Sequence, residues 1–112
     1  VDPQVESSVL ALAEAWSSQN VDSYFSFYSD DFIPTDGLTL PVWKQQREER
    51  LLKPNFITIG ISSISIKMTG TESAEATFRQ SYTSDTYQDI VNKKLLMQKQ
   101  DNQWKIFEEM SY

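Results

Sequence analysis

The chain has 112 residues, a net charge of −6, 39% apolar residues, and neither histidine nor cysteine. That length makes one domain, able to bury roughly two thirds of its unfolded surface without a disulfide or a metal. The charge argues against nucleic acid and against an anionic membrane surface, and no apolar run approaches the roughly 20 residues of a membrane span.

Without cysteine there is no disulfide scaffold, and either redox compartment fits. The sequence begins with Val1 rather than Met. It is therefore expected to be a domain cut from a longer protein or a mature chain, with any signal peptide outside it. Asp2-Pro3 reads as a helix start, Asp as N-cap and Pro at the first helical position. Val5, Val9, Leu12, Ala13 and Trp16 recur at helical spacing and give one apolar face. Ser17-Ser18-Gln19 ends that pattern, and Asn20 caps a second, short helix whose Val21, Tyr24, Phe25 and Tyr28 share a face.

Phe32-Ile33 could form a short edge strand stopped by Pro34, and Asp36-Gly37 is a turn signal. A third helix is expected from about Pro41, with Trp43, Arg47, Arg50 and Leu51 along one stripe. Lys53-Pro54 stops it, because proline disfavours the helical conformation of the residue before it. Beyond Asn55 the pattern alternates with period two, as strands do.

In the first strand Ile57, Ile59 and Ile61 hold odd positions, whereas Ile64, Ile66 and Met68 hold even ones. A regular strand would expose one of the two sets. A β-bulge at Ser62-Ser63 restores a single apolar face and bends the strand. The next strand puts Ala74, Ala76, Phe78, Gln80 and Tyr82 on one face. A hairpin at Thr83 to Thr86 leads into Tyr87 to Gln100, and Asp101-Asn102 makes a tight turn. In the last strand Trp104, Ile106, Glu108 and Met110 alternate with Lys105, Phe107 and Glu109.

The order is α-α-α-β-β-β-β, with Ala15-Trp16, Tyr24-x-x-x-Tyr28-x-x-Asp31-Phe32, Trp43-x-x-x-Arg47-x-x-Arg50, Phe78-x-Gln80-x-Tyr82, Lys93-x-Leu95 and Trp104-Lys105-Ile106-x-x-Glu109. This set resembles the nuclear transport factor 2-like superfamily, the fold of ketosteroid isomerases and SnoaL-like polyketide cyclases. More narrowly it is similar to the bacterial cell-envelope branch, whose domains often follow tetratricopeptide repeats or L,D-transpeptidase domains. The resemblance covers about Val9 to Glu109. It implies an α+β cone, three N-terminal helices packed on a curved antiparallel sheet of about four strands, with a cavity between helices and sheet. It implies no activity, because the fold hosts enzymes and non-enzymes alike.

Polar residues with inward parity are the candidates for a site. Gln80 lies between Phe78 and Tyr82, Glu108 follows Ile106, and Lys93 shares parity with Val91, Leu95 and Met97. Arg47 and Arg50 follow Trp43 along one helical stripe. Burying such groups costs several kcal/mol unless they are paired or hydrated. Either Glu108 pairs with an arginine and staples the third helix to the sheet, or these groups line a wet pocket with Tyr28, Asp31, Trp43 and Tyr82. Arginine forks suit carboxylates from protein or ligand.

Catalysis without histidine would fall to a carboxylate such as Glu108 or Asp31, or to a tyrosine. Two arginines beside the carboxylate would lower its pKa, away from a useful base. Asp30, Asp31, Asp36 and Gly37 lack the spacing of a calcium loop, and no metal or cofactor is expected. Ile90, Leu96 and Phe107 should face away from the helices, as an apolar patch flanked by Arg79, Asn92, Lys94 and Glu109 that could pair two copies.

The sequence thus reads as a non-catalytic ligand- or partner-binding domain of a bacterial cell-envelope or periplasmic protein. The expected partners are a small polar or anionic ligand or peptide, the adjacent domains of a parent protein, and a second copy. The alternative is a small cofactor-free isomerase- or cyclase-like enzyme using a carboxylate in the cone.

Overall fold

The computed structural model describes residues 3–34 and 37–111. Three helices, α1 (Pro3–Ser17), α2 (Val21–Ser26) and α3 (Leu40–Leu52), precede four strands, β1 (Ile57–Met68), β2 (Ser73–Ser84), β3 (Gln88–Gln100) and β4 (Gln103–Ser111). The strands form one antiparallel sheet in the order β1-β2-β3-β4. This is the α+β architecture expected. Asp2, read as the first N-cap, and Asp36, read as part of a turn, lie outside the described residues.

Two adjacent residues close α1 and start the next element. Gln19 adopts a left-handed φ of 57°. Its N–H bonds to Trp16 O and that of Asn20 bonds to Ala15 O, the crossed pair of a Schellman stop. Asn20 then caps α2, its side-chain oxygen accepting from the Ser23 N–H. The Gln19 side chain donates to Leu51 O at 2.7 Å and Pro54 O at 2.8 Å, tying the end of α1 to the end of α3.

The bulge expected in β1 is present. Pairing with β2 shifts between Ser62 and Ser65, and Ser63 has a φ of 54°. Ile61 and Ile64 both pack against the core as a result. Asp101 and Asn102 have φ of 50° and 64°, two successive left-handed residues as a type I′ hairpin turn requires.

The final strand departs from the sequence reading. Leu96 pairs with Glu108, but Met97 pairs with Ile106, so Phe107 is an extra residue in β4. This second bulge inverts the parity beyond Ile106. Glu109 becomes buried at 6% exposure, and Glu108 is left on the outer face.

The segment after α2 runs along β4. Tyr28 makes a parallel bridge with Ile106, Ile106 N–H bonds to Phe27 O, Ser29 N–H to Ile106 O, and Ile33 N–H to Phe107 O. The expected Phe32-Ile33 strand is replaced by this bridge. Phe32 turns inward and stacks on Trp43 with ring centroids 4.5 Å apart.

The core lies between the helices and the inner sheet face, with Val5, Val9, Tyr24, Leu51, Leu95 and Ile106 almost wholly enclosed. On the outer face Ile90 is exposed and Leu96 half-buried. Six positions along β3 separate them, roughly 20 Å. Ile90 therefore does not join Leu96 and Phe107 in one patch, and Glu109 does not flank it. Among the described residues no helix is long and apolar enough to cross a membrane.

Candidate functional site

Glu109 is the only buried carboxylate among the described residues, and three elements converge on it. Arg47 of α3 donates from Nη2 to Oε1 at 3.0 Å, and Lys93 of β3 donates from Nζ to the same oxygen at 2.8 Å. Tyr28 donates its hydroxyl proton to Oε2 at 2.5 Å. That proton is spent, so the 3.2 Å contact between the two tyrosine hydroxyls has Tyr24 as donor. Tyr24 in turn accepts from Arg47 Nη1 at 2.9 Å. Arg47, Tyr24, Tyr28 and Glu109 thus close a ring of hydrogen bonds in which every bond polarises the next. The Arg47 guanidinium also lies over the Trp43 ring, 5.2 Å from its centroid.

The electrostatics follow from this packing. Burial pushes the Glu109 pKa up, but Arg47 and Lys93 overcome that and hold it at about 2, against an ordinary 4.5. Tyr28 is pushed well above its ordinary value by burial and by the Glu109 charge. Tyr24 is raised by burial too, with Arg47 opposing. For Arg47, burial is outweighed by Tyr24 and Glu109, and its pKa rises. At neutral pH the cluster holds two cations and one anion.

A cavity of about 520 Å³ opens beside this cluster. Arg47, Arg50, Lys53 and Lys93 line it with Trp16, Gln80, Tyr82 and Tyr87, and no acidic side chain joins them among the described residues. Trp16, Tyr82 and Tyr87 form an aromatic row, with centroids 5.8 and 6.0 Å apart along it. A smaller depression of about 370 Å³ shares Arg47 and Lys93 and contains Glu109, so the ion cluster partitions the two spaces. Among the described residues no group of acidic side chains is placed to hold a metal ion.

Comparison with known proteins places this geometry in a family. The family model described as the Cds6 C-terminal NTF2-like domain matches residues 4–110. The chain belongs to that family. Among solved structures, Bd1075 of Bdellovibrio bacteriovorus is similar with a TM-score of 0.86 and 22% identity, over 96% of this chain and 38% of that one. The K307A mutant of Pgp2, the helical cell shape determining protein of Campylobacter jejuni, gives 0.84 and 19%, over 92% and 38%. A putative dehydratase of the NTF2-like family from Streptomyces avermitilis gives 0.84 and 13%, over 97% and 92%. The chain therefore spans under two fifths of the first two proteins. A search of curated proteins found no match.

In this NTF2-like domain the residues singled out from sequence fall into three groups. Tyr28, Arg47 and Lys93 meet in the buried cluster, with Trp43 stacked beside it. Gln80, Tyr82 and Arg50 line the cavity, Arg50 at its exposed mouth. Asp31 stands apart, exposed in the turn after Ser29. Glu108 is corrected to Glu109, because the Phe107 bulge exchanges the two carboxylates between faces. The family pattern Trp104-Lys105-Ile106-x-x-Glu109 contained the right glutamate, whereas alternation from Ile106 pointed to Glu108. Tyr24, Trp16, Lys53 and Tyr87 also reach the site. Tyr24 was visible in the i, i+4 pair with Tyr28.

Proposed function

We propose that this domain is a non-catalytic binding module that takes an anionic group in the cavity between α3 and the inner sheet face. The observation that carries the reading is the state of Glu109. Both its oxygens are occupied by protein donors and its pKa is held at about 2, so it cannot accept a proton near neutral pH. Its remaining effect is to neutralise one of two buried cations, which leaves the cavity wall positive in a chain of net charge −6. A cofactor-free isomerase or cyclase needs a free inward carboxylate, and the same observation argues against it.

The biological setting belongs to the same proposal. We place the domain in a longer bacterial cell-envelope protein, facing the periplasm. The likeness to a helical cell shape determining protein, which this chain matches over 38% of its length, supports that setting.

Titration of the ¹⁵N-labelled domain with 3-phenylpropionate, a carboxylate on an apolar arm, tests the binding reading. Shifts should centre on Lys93, Gln80 and Tyr82 and vanish in Lys93→Met, which leaves the Arg47–Glu109 pair intact. No shifts, or shifts confined to the outer sheet face, would overturn it.

A further inference from the structure

We infer that the cavity recognises an N-acylated amino-acid carboxylate, the chemistry of a peptide C-terminus, with Lys93 and Arg47 taking the carboxylate and Gln80 reading the neighbouring amide. This rests on the anion-binding reading above and adds the identity of the anion.

The charge count favours a monoanion. Arg50 and Lys53 are exposed and solvated at the mouth, whereas Arg47 and Lys93 are enclosed around a single carboxylate. One positive charge is left over in the buried part of the site. A carboxylate cancels it, while a phosphate group carrying about −1.5 to −2 would overshoot. The donors are available too. An ammonium has three protons, and Lys93 Nζ uses one on Glu109.

Gln80 supplies the second recognition element. The residue is 6% exposed and lines the cavity, yet among the described residues its carboxamide makes no side-chain hydrogen bond to the protein. A carboxamide offers an acceptor oxygen and a donor NH₂, and with no protein partner both are open to the cavity. A ligand amide offers one donor and one acceptor in that arrangement. Gln80 pairs across the sheet with Val91, so Lys93 lies on the same face two residues further along β3. Such diagonal neighbours stand about 7–8 Å apart at their bases. The long lysine stem lets the two tips converge on groups joined through one Cα. The aromatic row beside them suits an apolar side chain.

Calorimetry on the wild-type domain decides the matter with four probes. These are N-acetyl-alanyl-phenylalanine, its C-terminal carboxamide, N-acetylphenylalanine and 3-phenylpropionate. The free acid of the dipeptide should bind at least ~10-fold more tightly than its carboxamide and than 3-phenylpropionate, the scale of one charge-assisted or buried hydrogen bond. Gln80→Leu should remove the gap between the dipeptide acid and 3-phenylpropionate. Equal binding of N-acetylphenylalanine would identify the single acylated residue as sufficient, and weaker binding would identify a peptide terminus. Both outcomes support the inference. If the dipeptide and 3-phenylpropionate bind alike in wild type, the amide is not read and the inference falls, while the anion reading stands. If no probe binds, or the carboxamide binds as well as the acid, both readings fall.

Discussion

Glu108 and Glu109 are sequence neighbours on opposite faces of the sheet. Glu109 accepts from Arg47, Lys93 and Tyr28 inside the protein, whereas Glu108 is half-exposed outside it. Removing one partner of a buried pair costs about 3–5 kcal/mol, because the other charge is left uncompensated. Glu109→Gln should therefore lower stability by about that much in urea melts, and Glu108→Gln should stay within about 0.5 kcal/mol. Arg47→Met combined with Glu109→Gln should cost less than the two singles added together, which a double-mutant cycle measures.

The pH dependence has a definite sign. The folded pKa of Glu109, about 2, lies below its ordinary 4.5. The unfolded chain thus binds the extra proton, and the stabilisation is complete above pH 4.5 and lost as pH falls towards 2. A displacement of that size corresponds to about 3 kcal/mol. Acid unfolding of the wild type should accordingly be steeper than that of Glu109→Gln across this window. Parallel curves would mean that Glu109 is not held by its partners.

At the scale of elements, the two bulges determine what faces the helices. The first was legible because it displaces apolar residues. Ile61 and Ile64 cannot share one face of a regular strand, and burying both outweighs the lost ladder hydrogen bonds. The second was not legible by alternation, because the residues beyond Phe107 are two glutamates, a methionine, a serine and a tyrosine. Hydrophobicity does not distinguish Glu108 from Glu109. What fixes the bulge is tertiary, namely the Tyr28 to Ile33 segment bonding to Phe107 O and the cations awaiting Glu109. Ser63, left-handed at φ 54°, supplies the local test. Ser63→Gly should be neutral or slightly stabilising, while Ser63→Val should cost about 1–2 kcal/mol. Equal melting temperatures for the two would contradict the bulge conformation.

Helix α3 has a mixed-sign surface and buries only Trp43 and Leu51. Its position depends on the Trp43–Phe32 stack, the Arg47–Glu109 bridge and the Gln19 clamp on Leu51 O and Pro54 O. Gln19→Ala removes two hydrogen bonds at the far end of the helix and should cost about 1–2 kcal/mol. Amide exchange should then rise first in α3, and exchange that rises uniformly would show that the helix opens with the whole domain.

For the whole molecule, element order and parity were enough to read the cone and the resemblance, because helices, turns and strand alternation are local signals. Tyr28, Arg47, Lys93, Gln80 and Tyr82 were found because each is polar or amphipathic at a position that should face inward. Lys53 and Tyr87 were not found, since they enter the site from the end of α3 and the β2–β3 hairpin, brought together only by the way the sheet closes on the helix. The result is a domain acidic overall whose cavity wall is cationic. Among the described residues the sole buried carboxylate is the one that pairs with two of those cations, and in the proposed function it holds them rather than moving protons. The most direct measurement of that claim is the pKa of Glu109, from the side-chain carboxyl ¹³C shift of the isotopically labelled domain followed across acid pH. A midpoint near 2, with no titration above pH 4.5, is the result expected. A midpoint near neutral pH, as for a group poised to act as a general base, would contradict the account.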